Sequence, residues 1–226
     1  STDNGPHRNS WPDAGTSPFR NEKNSGWEGA YRIPSFARWP GKIKAGSISN
    51  EIISHLDWVP TLVAAAGEPQ VKEKLLTGYE ANGKNYKVHL DGYNFLPYMT
   101  GQANKGPRKE FFYFSDGGEL MALRYNNWKV HFMVQDQPGT LEIWQREFRG
   151  LRMPYIFNLR TDPFEQATIT SNTYWDWYID HAFLMYPMGD VVGEFLATFK
   201  EYPPRMKAGS WDMGKALESL QTPRNN

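Results

Sequence analysis

The chain has 226 residues, 39% of them hydrophobic and 22% charged, which supports a folded core and excludes an intrinsically disordered chain. Lys+Arg and Asp+Glu number 25 each, so the formal charge is zero and nothing points to a nucleic-acid or anionic-membrane partner. The absence of cysteine excludes disulfides, thiolate metal sites and a cysteine nucleophile within these residues.

In chain order, STDNG reads as the end of a strand and its turn. Residues 5–30 are rich in Gly, Asn, Ser, Pro and charge without apolar periodicity, which predicts a long irregular loop of the kind that is either functional or disordered. YRIPSFARWPG predicts a strand closed by Pro40-Gly41. ISHLDWVPTLVAAAGEP predicts a helix with Asp57 at its N-cap, Pro60 in its first turn and Gly67 ending it. Its apolar run, the longest in the chain, is too short to span a bilayer, and no charged n-region with an apolar h-region opens the sequence. A polar connector containing DGYNFLPYMTG follows. FFYFSDGGELMALRYNNWKVHFMVQ predicts three strands joined at Gly117-Gly118 and Asn126-Asn127. Alternation places Trp128, Val130, Phe132 and Val134 on one face, and Lys129 with a partly exposed His131 on the other. YIFNLRTDP predicts a fourth strand, residues 174–199 a long covering helix, and WDMGKALESLQ a short final helix. The order is that of an α+β chain with a boundary near residues 100–110. Aromatic residues make up 15%, and packing accounts for most of them.

Two features of the opening loop carry chemistry. Asp3 and Asn4 precede Gly5, and at a strand end their side-chain oxygens can converge on a hard cation such as Ca²⁺ or Mg²⁺; an ordinary Asx turn also explains them. Lys23, in FRNEKNSGWEGAYR, is either a surface lysine or a point charge that meets an oxyanion beside a metal.

TDNG followed by PFRNEKNSGWEGAYRIPSFARWPGKIKAG resembles the sulfatase family, in particular bacterial arylsulfatases of the alkaline phosphatase superfamily. SHLDWVPTLVAAAGE, LDGYNFLPYMTGQ, NWKVHF, FNLRTDPFE and YPPRMKAGSWDMGKALESL extend the likeness over nearly the whole chain. The resemblance implies that Asp3 and Asn4 ligate an active-site calcium ion and that Lys23 binds the sulfate group. A divalent cation and a fixed lysine suit an ester whose oxygens gain charge during cleavage. Gly26 and Gly29 would let the loop fold back, and Trp27 and Glu28 would anchor it. The family's formylglycine nucleophile and its remaining metal ligands lie N-terminal to the Asp-Asn pair. The chain therefore reads as the C-terminal portion of such an enzyme, inactive and a poor calcium binder alone. Thr16-Ser17-Pro18-Phe19-Arg20 mimics the nucleophile motif, but on the wrong side of that pair.

The implied architecture is the closing edge of a large α/β sheet in residues 1–105, then a four-stranded antiparallel sheet packed on a long helix in 106–226. The implied partners are the N-terminal part of the protein and a small sulfate-ester substrate, without nucleic acid or membrane. An uncovered front portion would self-associate. A periplasmic or secreted setting follows from the resemblance alone. Two other readings stay open: a phosphonate or phosphate ester hydrolase of the same superfamily, and a non-catalytic aromatic-rich binding module. His7, Arg8 and Arg20 are loop residues that could line a substrate entrance. His55 suits capping with Asp57, Glu51 is unremarked, and His89 and His181 carry no constellation. YWDWYIDHAFLMYPM has core spacing.

Overall fold

The computed structural model describes residues 1–13, 15–137 and 140–204. The short final helix expected in WDMGKALESLQ lies outside the described residues. After the opening loop come α1 (Glu28–Tyr31), α2 (Trp58–Ala65), α3 (Val71–Thr77), the hairpin β1 (Tyr79–Ala81) and β2 (Lys84–Tyr86), and α4 (Leu96–Met99). Then follow β3 (Glu110–Phe114), β4 (Leu120–Tyr125), β5 (Trp128–Val134) and β6 (Arg149–Asn158), and finally α5 (Ala167–Thr170), α6 (Tyr174–His181) and α7 (Met185–Ala197).

Strands β3 to β6 form one antiparallel sheet in sequence order. The expected turns are present: Asn126 takes φ 52° between β4 and β5, and Gly118 takes φ 86° between β3 and β4. A further two-stranded hairpin joins β1 to β2. Its Asn82-Gly83 tip has positive φ at both residues, as a two-residue turn matched to strand twist requires.

Both faces of the sheet are covered. On one, Leu123, Val130 and Ile156 pack against Tyr174, Tyr178, Leu184 and Met188 from the helices. On the other, Trp27 from the opening loop packs with Val134, Phe157 and Leu159. Val134 therefore leaves the face assigned to it beside Trp128 and Val130. The register shifts between His131 and Met133, and such a bulge turns the residues beyond it over. The open edge at β6 carries Pro154 and exposed Arg149 and Arg152, which discourage further strand pairing. There the Tyr174 hydroxyl accepts from Ile156 N (3.0 Å) and donates to Ile156 O (3.1 Å).

Two elements depart from expectation. Residues 32–39 form no strand; they run without a ladder partner among the described residues, with Phe36 87% exposed. A strand needs a neighbour to take its backbone hydrogen bonds, and this segment has none here. The long helix divides into α6 and α7 around a 3-10 turn at Ala182–Leu184. Pro187 has no N–H to give to Phe183 and crowds that carbonyl, which breaks a continuous helix there.

The helical front is tied to the sheet by a buried ion pair. Asp57 occupies the N-cap position of α2, yet its side chain does not cap that helix. It closes a capping box with Ser54 over the preceding 3-10 turn, accepts from Tyr93 N at 2.7 Å, and binds Arg108 through Nε and Nη2. Both side chains are almost fully buried. Glu51 has a similar anchoring part, its carboxylate accepting from Gly106 N at 2.9 Å. Replacing Asp57 with Ala strands a buried guanidinium, so the expected cost is about 3–5 kcal/mol. Urea denaturation measures it, and a loss below about 1 kcal/mol would contradict a structural role for the pair.

Candidate functional site

The segment that carries Lys23 is irregular in sequence, so contacts rather than periodicity must fix it. Gly5 N donates to Ala30 O at 2.7 Å, and Lys23 N donates to Pro6 O at 3.0 Å. The opening residues thus lie bracketed by the two ends of the 23–30 stretch. This close approach requires glycine: a Cβ on Gly5 would sit 1.9 Å from Gly29 O, and one on Gly29 would sit 2.2 Å from Asn21 O. Gly26, expected to have the same part, has ordinary contacts instead. Asn21 and Asn24 flank Lys23 in left-handed conformations, φ 61° and 70°. Asparagine tolerates that region best among residues with side chains, and the double kink displays Lys23 between them.

Lys23 is half-buried, Asp3 is exposed and Asn4 is half-buried. The Asn4 amide nitrogen donates to Gly5 O at 2.7 Å, which leaves Oδ1 as the oxygen available to a cation. A carboxylate and an amide oxygen are hard donors that fit Ca²⁺. Among the described residues no group of three or more His, Cys, Asp or Glu could hold a metal ion. The pair could therefore supply only part of the six to eight oxygens that calcium takes.

What holds the loop is a buried charge cluster that alternation along the strand does not reveal. Lys129 and His131 are fully buried, not solvent-facing, because the loop covers their side of the sheet. Lys129 Nζ lies 3.0 Å from Glu28 Oε1 and 3.0 Å from Glu165 Oε1. Tyr113 donates its hydroxyl to Glu28 at 2.7 Å, and Arg124 approaches the same carboxylate at 3.6 Å. Glu165 accepts from Glu28 N at 2.7 Å. Trp27 Nε1 and Asn21 Nδ2 both donate to Gln135 O, and Arg20 lies over the Trp27 ring while donating to Glu165 O. Trp27 and Glu28 are anchors, as the sequence predicts. Arg20 belongs to the same anchorage. Lys129 lies between the two carboxylates, and Arg124 and Arg20 add positive charge beside Glu28 and Glu165.

Burial, reinforced by the Lys129 charge, holds the His131 pKa at about 4. Its neutral ring donates Nε2–H to Glu165 at 2.7 Å, while Nδ1 has no hydrogen-bond partner among the described residues. Burial alone would raise the Glu165 carboxyl, but Lys129 and the His131 hydrogen bond outweigh it and hold it at about 2. Elsewhere, His89 pairs with Asp91 at 3.1 Å and His181 stacks on Trp177. His55 meets Ser1 Oγ at 3.2 Å.

Two outcomes follow for the cluster. Lys129→Met leaves two buried carboxylates sharing too few donors and costs about 3–5 kcal/mol in denaturant unfolding; a change under about 1 kcal/mol would refute the clamp. Both depressed groups bind more protons unfolded than folded, so each contributes stability that is present at high pH and lost in acid. The His131 contribution is full above pH 6.5 and fades toward pH 4, and that of Glu165 fades from 4.5 toward 2. Unfolding free energy should fall by about 2 kcal/mol between pH 7.5 and 5, and His131→Gln should flatten that slope; an unchanged slope in the variant would contradict it.

Comparison with known proteins bears on the same residues. Residues 1–68 match the model of the sulfatase family, and residues 106–220 match the model described as the C-terminal region of aryl-sulfatase. The chain is 35% identical over 135 residues to the arylsulfatase of Hemicentrotus pulcherrimus, covering 59% of this chain and 21% of that protein. It is 30% identical over 196 residues to N-acetylgalactosamine-6-sulfatase of Rattus norvegicus, covering 77% and 34%. The chain thus spans a fifth to a third of these relatives. The fold is similar to the PsFucS1 sulfatase from Pseudoalteromonas sp., with TM-score 0.65 and 28% identity over 89% of this chain and 36% of that one. With the loop match and the sheet match each in its expected place, the chain belongs to the sulfatase family.

Proposed function

We propose that this chain is the C-terminal portion of a sulfuric ester hydrolase and contributes the lysine that receives the sulfate group. The observation that carries the reading is the display of Lys23 between two left-handed asparagines, on a loop pinned to Pro6 beside Asp3 and Asn4. A loop held this rigidly can present an ammonium at a fixed place, which a free surface lysine cannot.

In the proposed arrangement the Lys23 ammonium bonds an ester oxygen and offsets the charge that grows there as the S–O bond breaks. The Asp3 carboxylate and the Asn4 Oδ1 would hold a calcium ion from one side, and the ion would supply positive charge toward the same ester. The nucleophile, a formylglycine in this family, and the other ligands come from a segment outside these residues. That segment is the proposed partner of the front portion. Exposed Phe36, Ile48, Leu56, Val59 and Leu62 support this, since apolar side chains so close in sequence call for a cover. The chain alone is then catalytically silent and prone to self-association. A periplasmic or secreted setting is proposed on the family resemblance. The described residues hold no helix long and apolar enough to cross a membrane.

In the complete polypeptide, Lys23→Ala should lower kcat/KM for p-nitrophenyl sulfate by about a hundredfold or more. Chelation of calcium should abolish turnover, and Asp3→Ala should raise the calcium concentration needed to restore it. Full activity of Lys23→Ala would defeat the reading. Preference for p-nitrophenyl phosphate over the sulfate would move the assignment to a phosphate ester hydrolase.

A further inference from the structure

A cleft of about 690 Å³ lies between the helical front and the edge strand β3, and among the described residues none of the Lys23 loop lines it. One wall is aromatic. Phe195 of α7 stacks on Phe112 of β3 at 4.0 Å and 16°, with Phe114 at 6.0 Å and Phe199 at 5.1 Å from the same ring. All four line the cleft and are half-buried. The other wall is polar, but its donors are engaged. Arg108 donates to Asp57 and to Asp91 O, Lys72 to Gly92 O, and the Tyr93 hydroxyl to Glu110. A polar small molecule would find little to bond here, whereas apolar side chains would find open ring faces. Folded proteins leave few voids larger than a water, so a cleft of this size calls for an occupant.

The chain itself leads there. Beyond α7 it crosses to the front, where Tyr202 packs on His89 with ring centres 5.4 Å apart and donates its hydroxyl to Leu76 O at 3.4 Å. Glu201 pairs with Lys87 at 3.2 Å. Pro204, the last described residue, lines the cleft, and residues 205–226 continue from that point. In them Met213, Ala216, Leu217 and Leu220 recur at i, i+3, i+4 and i+7, the spacing of one apolar helical face, with Ser210 placed to cap it. Ten helical residues measure about 15 Å. The match to the C-terminal region of aryl-sulfatase runs to residue 220, so this stretch belongs to the sequence of that domain. Charge is complementary as well. Arg205, Lys207 and Lys215 outnumber Asp212 and Glu218. In the cleft, Asp91, Glu110 and Glu194 outnumber Lys72, because Arg108 is taken by Asp57.

We infer that the cleft is a docking groove for the chain's own residues 211–220, whose apolar face covers Phe112, Phe195 and Phe199. The segment then acts as a latch that fastens the helical front to the sheet. It does so on the sheet face that carries α6 and α7, opposite the face that carries the Lys129 clamp. The inference stands independently of the sulfate-binding role proposed for Lys23.

The test uses the complete polypeptide with Glu194→Cys, at the cleft's exposed rim, labelled with benzophenone maleimide and irradiated. Cross-links to residues 205–226 of the same chain, at a yield that does not change with protein concentration, are the expected result. Cross-links to a second copy or to any other segment, or none above the labelled unsubstituted protein, would overturn the inference. Leu217→Asp should remove most of the cross-link and speed amide exchange of Phe111 to Phe114 about tenfold. Lys215→Ala, on the polar face of the same helix, should leave both within about twofold. An unchanged cross-link in Leu217→Asp would equally overturn the latch, and if that variant does not fold, Leu217→Ser is read by the same two outcomes.

Discussion

The docking of the loop that carries Lys23 depends on a lysine with no access to water. Lys129 projects from the centre strand β5 and lies between Glu28, on the loop, and Glu165, beyond β6. Isolated, a buried ammonium costs far more than a hydrogen bond returns. Here two carboxylates, a second cation in Arg124 and the Tyr113 hydroxyl complete its surroundings. Such a cluster adds little net stability compared with an apolar core of equal volume. Its value is uniqueness: the loop can dock in one register only, since any slip would leave a charge buried without its partner. A loop without periodicity gains a defined path this way.

From that anchorage the order of construction is clear. The apolar cores on the two faces of the sheet supply most of the burial, one with the helices and one with Trp27. The clamp converts the second face from a solvent surface into a bed for residues 20–31. Gly5 and Gly29 then allow backbone to lie directly on backbone, and the opening residues come to rest beside Lys23. The strain of left-handed Asn21, Asn24 and Glu165 is concentrated in this region, where the surrounding bonds can hold it. The path of this loop is a consequence of tertiary contacts between residues more than a hundred positions apart.

This history explains which features the sequence reveals. The turns at Asn126-Asn127 and Gly118, and the packing role of Trp27 and Glu28, follow from local chemistry and from the family pattern around them. Alternation along WKVHFMV tells which residues share a face, yet it cannot tell whether that face is covered. The cover is a loop about a hundred residues upstream, so Lys129 and His131 looked like solvent-facing residues. Val134 changed sides through a bulge that no residue type announces. The break at Ala182–Leu184 was legible in Pro187, and the β1–β2 hairpin in Asn82-Gly83. Asp3, Asn4 and Lys23 stand out only through the family motif, since each is ordinary on its own.

The central claim is that residues 20–31 belong to the sheet's interior and are not a surface loop. Amide hydrogen exchange of this segment against strand β5 tests it most directly. Protection of Asn21 to Ala30 within about tenfold of the β5 amides, lost together with them on unfolding, is the expected result. Exchange of the segment orders of magnitude faster than an intact β5 would mean that the loop opens on its own, and the clamp would no longer account for the site.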